Sequence, residues 1–128
     1  MSNLTLAIIK PDAVIKGNTG KIYDRIISAG FKVIGAKLIR ISLAQAQGFY
    51  AMHKEKPFYD ELTEFMSSGQ SMVLALEKEN AVSAWRKTIG TTNPKEASEG
   101  TIRHDFATSI GKNAVHGSDS DENAKKEI

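Results

Sequence analysis

What most constrains the fold of this chain is where its apolar runs are cut. Leu4–Ile9 is a short apolar run that ends against Lys10-Pro11-Asp12. Proline lacks the N–H a strand ladder needs and restricts the residue before it, so a strand here must stop. Gly17-Asn18-Thr19-Gly20 supplies turn chemistry, and a helix follows with Ile22, Ile26 and Ala29 on one stripe and Gly30 as its stop. Residues 31–41 are rich in β-branched side chains and predict a long second strand. Ser42 and Gln45 have the spacing of a capping box. The helix they open carries Leu43, Ala46, Tyr50 and His53 along one face and breaks at Lys56-Pro57-Phe58. A further helix is predicted over 59–66 and a third strand over 72–76. Asn80 is predicted to cap a helix that holds Val82, Trp85 and Ile89 and closes at Gly90.

Residues 91–112 break this rhythm. Thr, Asn, Pro, Ser and Gly dominate, with one helical turn near 103–106. A loop this long in a compact domain is usually functional or packs on a partner. Val115 and its neighbours predict a last short strand, and Asp119 or Ser120 the cap of a final helix to Ile128. The order β-α-β-(αα)-β-α-β, then a helix, predicts an α+β fold: a ferredoxin-like βαββαβ sandwich with an inserted helical pair and a C-terminal helix. With 128 residues, one domain spanning 1–128 is expected.

The composition narrows the class. A net charge of +2 is too small to argue for duplex DNA or a membrane surface, so no specific nucleic-acid partner is expected. No apolar run is long enough to span a bilayer, and the N-terminus lacks the basic start of a signal peptide. With no cysteine there is no disulfide framework, and a cytoplasmic protein is expected.

Chemistry concentrates at Asn113-Ala114-Val115-His116-Gly117-Ser118-Asp119-Ser120. Imidazole is a good nucleophile that is largely neutral near pH 7. Gly117 lets a bulky group approach the backbone, and Ser118, Asp119 and Ser120 offer atoms to orient the ring. A Ser-His-Asp hydrolase is excluded by the crowding of these residues, since triad members come from separate elements. The three histidines, His53, His104 and His116, show no paired ligand spacing, so no protein-held metal is expected. Lys10, Arg86 and Arg103 are cations from three separate segments, and an arginine fork suits phosphate. Lys10 reads either as a solvated strand end or as a directed group. Arg103, in the long loop, is expected to add little to the core. Tyr50 and His53 either pack in the core or reach the same phosphates, and Phe58 is either a core anchor or, if exposed, a stacking platform for a base. Gly17-Asn18-Thr19-Gly20-Lys21 does not have the phosphate-loop spacing, and the protein-kinase signatures are absent.

These segments resemble the nucleoside diphosphate kinase family. Asn113 to Asp119 is similar to its Asn-x-x-His-Gly-Ser-Asp pattern, and Ile9-Lys10-Pro11-Asp12 to its lysine motif. His53-Lys54-x-Lys56-Pro57-Phe58, Trp85-Arg86-Lys87, Gly90-x-Thr92-Asn93-Pro94 and Gly100-Thr101-Ile102-Arg103-x-Asp105-Phe106 follow in family order. The resemblance implies ping-pong transfer of a γ-phosphoryl group, mainly from ATP, to a nucleoside diphosphate through a phosphohistidine at His116. It implies that Lys10 and Asn113 contact the ribose 3′-hydroxyl, and that Lys10 also approaches the transferred phosphate. Arg86, Thr92 and Arg103 would hold the β- and γ-phosphates with Tyr50 and His53 nearby, Phe58 would stack on the base with Ile110 opposite, and Glu127 would support the histidine ring. Mg2+ would be held mainly through the nucleotide phosphates. The partners implied are nucleoside di- and triphosphates and further copies of the chain, as a hexamer or tetramer built from dimers.

Two features depart from the family pattern. His104 stands where a small residue is usual, and family members normally continue past the position of Ile128 with an apolar and aromatic tail, which bears on Glu127 and on assembly. A binding module on the same fold would not need to keep the histidine and the arginines. A phosphocarrier for protein partners would not need Phe58 or the Lys10–Asn113 pair.

Overall fold

A computed structural model describes residues 3–91, 93–108 and 114–118, with the side chain of Met52 left aside. β1 (Leu4–Ile9) ends where Lys10-Pro11 was predicted to end it. A short helix that the sequence did not predict, α1 (Pro11–Ile15), starts at once, with proline in its first turn. There the missing N–H costs nothing and the fixed φ suits the helix. α2 (Thr19–Ser28) begins inside the predicted turn, taking in Thr19 and Gly20. β2 (Lys32–Arg40) follows.

The inserted pair is α3 (Leu43–Phe49) and α4 (Tyr59–Ser67). The capping box is formed in both directions: Gln45 N donates to Ser42 Oγ at 3.1 Å and Ser42 N donates to Gln45 Oε1 at 2.9 Å. The predicted face running to His53 is cut short. α3 stops at Phe49, Tyr50 is its C-cap, and Ala51–His53 form a single 3-10 turn. β3 (Gln70–Glu77) and α5 (Ala81–Ile89) come next. Asn80 does precede α5, but it makes no side-chain cap. It sits at φ 54, the left-handed conformation that asparagine tolerates better than most residues. The turn expected near 103–106 is α6 (Ile102–Phe106), capped by the Thr101 side chain, and β4 (Val115–Gly117) is the last described element. The predicted C-terminal helix, with Asp119, Ser120 and Glu127, lies outside the described residues.

Among the described residues the strands form one antiparallel sheet in the order β2-β3-β1-β4. This is the predicted ferredoxin-like α+β arrangement. β1 is central and buried on both faces, and its side chains alternate between two cores. Ala7 and Ile9 join Ile22 and Ile26 of α2, Trp85 and Ile89 of α5, and Val115. Leu6 and Ile8 join Ala46, Tyr50 and Met66 beneath the α3–α4 pair. The inserted pair therefore covers the sheet face that α2 and α5 leave open.

Candidate active site

The site is built on β4, whose register decides which way its histidine points. His116 lies opposite Ile8, with Val115 opposite Ile9 and Gly117 opposite Ala7. Residues opposite one another share a face, so His116 projects to the α3–α4 side. Its half-buried ring meets Phe49 edge-on at 5.2 Å and Tyr50 at 6.1 Å. Gly117 falls on the other face, where an added Cβ would lie 2.9 Å from Ile89 Cδ1 and 3.1 Å from Trp85 Cδ1. The glycine was expected to admit a ligand to the backbone. In the fold it admits Trp85 instead.

Side chains and backbone from other elements hold the carbonyls along this segment. Lys10 N donates to Ala114 O at 2.7 Å. Arg103 Nη2 donates to Val115 O at 3.0 Å, Trp85 Nε1 to His116 O at 2.9 Å and Arg86 Nη1 to Ser118 O at 3.4 Å. Ala114 sits at φ 70, a left-handed conformation that costs a residue with a Cβ roughly 1–2 kcal/mol. Its N–H donates to the buried Asp12 Oδ2 at 3.1 Å.

The cations converge beside this strand. Lys10 is buried just past the end of β1, not solvated there. Burial, aided by the Arg103 charge and opposed by Asp12, lowers its pKa from 10.5 to about 8. Arg103 is also buried, in α6, and burial together with the Arg86 charge lowers its pKa to about 10. Arg103 Nη1 donates to Gly90 O at 3.0 Å, so its fork ties the end of α5 to β4. The expectation that this arginine adds little to the fold is therefore corrected. Its Nε is buried without a hydrogen-bond partner among the described residues. Gly90 itself is at φ 88, and a Cβ there would lie 2.7 Å from Thr101 Oγ1. This close approach seats the cap of α6 against the end of α5. Arg86, Gly90, Thr101 and Arg103 line part of a cleft of about 520 Å³, to which His116 does not contribute.

Tyr50 and His53 do not share a helix face. Tyr50 is buried against the His116 ring, whereas the His53 ring lies 5.6 Å from that of Phe58. Phe58 is 47% exposed and so is not a core anchor. His104 is exposed and bonds Asp105, which also pairs with Arg25 of α2. These two partners hold the Asp105 carboxyl below its ordinary pKa, with His104 the larger influence. Thr92, Ile110, Asn113 and Glu127 lie outside the described residues. Sequence reasoning missed three contributors. Phe49 carried no signal beyond its place beside Tyr50. Trp85 was read as core only, although a buried indole N–H usually needs an acceptor. Asp12 was read as part of a strand stop.

An edge strand that carries a half-buried imidazole and takes carbonyl hydrogen bonds from two arginines, with a buried lysine close enough to feel one of them, is chemistry for an anion. Among the described residues no group of three or more His, Cys, Asp or Glu could hold a metal ion. Fold and site together are those of a phosphotransferase. The family model described as nucleoside diphosphate kinase matches residues 3–128. The nucleoside diphosphate kinase of Geotalea uraniireducens is 56% identical over 124 residues, covering 97% of this chain and 90% of that one. The enzyme of that name from Salinibacter ruber is 56% identical over 123 residues, covering 96% of this chain and 87% of its own. Among solved structures, the Aquifex aeolicus nucleoside diphosphate kinase superposes with a TM-score of 0.97 at 46% identity, covering 98% of this chain and 92% of that one. A Halobacterium salinarum nucleoside diphosphate kinase in complex with CDP gives 0.94 at 35% identity, covering 100% and 86%. The chain belongs to the nucleoside diphosphate kinase family, and it is a phosphotransferase that uses nucleotides as substrates.

Proposed function

We propose that His116 carries the phosphoryl group between two nucleotides in a ping-pong cycle. The observation that supports this most directly is the row Lys10–Arg103–Arg86, in which each buried cation is pushed toward neutrality by burial and by the next positive charge. A polyphosphate would relieve both penalties at once. In the first half-reaction a ring nitrogen of His116 attacks the γ-phosphorus of a nucleoside triphosphate, and the bond to the β-phosphate oxygen breaks. Lys10, Arg86 and Arg103 stabilise the charge on the transferring and leaving oxygens. A second nucleoside diphosphate then attacks the phosphohistidine and restores the imidazole.

Phe58 is the platform for the base, and stacking without base-edge bonds tolerates both purines and pyrimidines. Tyr50 and His53 flank the phosphates. Thr92, Asn113, Ile110 and Glu127 take the roles their motif positions imply: phosphate, ribose, base and support of the ring. The chain would take Mg2+ together with its nucleotide rather than on its own side chains, and the ion would supply charge neutralisation for the phosphates that Lys10, Arg86 and Arg103 hold.

Assembly from dimers into a hexamer or tetramer is supported by β2, an edge strand with Ile34 and Leu38 each 48% exposed, an edge another copy could pair with. No described helix is long and apolar enough to cross a membrane, and we assign the protein to the cytoplasm.

The test is labelling. ATP with magnesium is expected to phosphorylate His116, giving an acid-labile, alkali-stable adduct discharged by GDP or CDP. Label that survives excess diphosphate would favour a phosphocarrier, and no label in a folded sample would favour a binding module.

A further inference from the structure

We propose that Asp12 is a positioning residue for the nucleophile, acting through the left-handed backbone of Ala114. The proposal rests on His116 being that nucleophile.

Two residues before the histidine, the chain adopts a conformation that L side chains avoid, with φ 70 at Ala114. Such a residue persists only where its surroundings over-determine it. Here both of its backbone polar groups are gripped from one short segment. The Lys10 N–H donates to its carbonyl at 2.7 Å, and Asp12 Oδ2 accepts its N–H at 3.1 Å. Ala114 is fully buried and Asp12 is 7% exposed, so water does not compete for either bond. Asp12 is held in turn by α1, which Pro11 starts immediately after β1.

The consequence for the reaction is geometric. Ala114 delivers the chain into a β4 only three residues long. The turn before the strand therefore fixes where the imidazole sits relative to Lys10, whose backbone belongs to the same clamp. Asp12 touches neither substrate nor the reacting atoms on this reading. It sets the distance between two groups that do.

The predicted signature is a loss of rate without a matching loss of binding. Asp12→Ala is expected to slow single-turnover phosphorylation of His116 by ATP at least tenfold, with the nucleotide Kd changed less than threefold. Asp12→Asn keeps an oxygen acceptor in the same place and is expected to regain most of the rate. Ala114→Gly introduced into the Asp12→Ala background is expected to recover at least threefold, because glycine takes φ 70 without the clamp. If Asp12→Ala does not fold, Asp12→Leu, which fills the same space without an acceptor, takes its place alone and with Ala114→Gly, and is held to the same outcomes. Wild-type protein that accepts no phosphate on His116 would overturn the reading of the nucleophile, and this proposal with it. Wild-type that is labelled while Asp12→Ala keeps its rate, or loses only affinity, or gains nothing from Ala114→Gly, or while Asp12→Asn is as slow as Asp12→Ala, would overturn the positioning role alone.

Discussion

The indole N–H of Trp85 donates to the backbone carbonyl of His116 at 2.9 Å. Trp85 is fully buried and meets Phe31 edge-on at 5.6 Å, so the residue that anchors α5 to the core also holds the strand bearing the histidine. Trp85→Phe keeps most of the packing and removes the donor. It removes one hydrogen bond to the His116 carbonyl, which costs about 0.5–1.5 kcal/mol. A lower urea midpoint is expected, together with slower phosphoenzyme formation and little change in nucleotide affinity.

Gly117→Ala tests the packing reading of that glycine. A methyl group there would press on Ile89 Cδ1 and the Trp85 ring. Overpacking of this kind costs about 1–3 kcal/mol. Ile89→Val removes the Cδ1 atom, so the double variant is expected to be more stable than the sum of the single changes. A double-mutant cycle that closes with no coupling would rule the contact out.

Arg103→Ala is expected to damage both fold and reaction. It removes the donors that reach Gly90 O and Val115 O from a buried position. Losing two charge-assisted bonds should lower stability by about 2–4 kcal/mol. Phosphoryl transfer should fall on the order of 100-fold, the scale for one preorganised donor. Measuring unfolding beside single-turnover kinetics separates the two losses. A wild-type melting curve would show that the fork carries no structural load.

Lys10 makes stability depend on alkaline pH. Its pKa is 10.5 ordinarily and about 8 in the fold, so between those values the unfolded chain holds more protons than the native one. Unfolding free energy therefore rises with pH across that window, by up to roughly 3 kcal/mol. Below about pH 8 both states are protonated and the whole penalty of burying the charge is present. Lys10→Met should abolish the rise. Bound polyphosphate should return the proton to Lys10, so nucleotide binding near pH 8.5 should take up a proton, read by calorimetry in buffers of different ionisation enthalpy.

Much of this architecture is legible in the residues, and the gaps have physical reasons. The strand stop at Lys10-Pro11, the Ser42–Gln45 box and the Gly90 terminus are local chemistry, and each stands where it was expected. Pro11 also opens α1, but five residues carry too little periodicity to announce a helix. The face from Leu43 to His53 fails because α3 tightens into a 3-10 turn after Tyr50, which sends Tyr50 to His116 and His53 to Phe58. The motif lysine and arginines, read from separate segments, do come together beside the strand that carries the motif histidine. The burial of Lys10 and Arg103 was not legible, because it depends on what the fold brings over them rather than on their neighbours in the chain.

β1 and β4 are paired so that Ile8 faces with His116 while Ala7 faces with Gly117. Because a pleat has only two sides, the direction of the imidazole is a binary choice made by this short ladder. Sliding β4 by a single residue would drive the ring into the space that Trp85 and Ile89 require, and would turn the glycine toward the α3–α4 side. Reactivity here is thus inherited from strand parity, and a change of chain length beside β4 would act as an on–off lesion rather than a graded one.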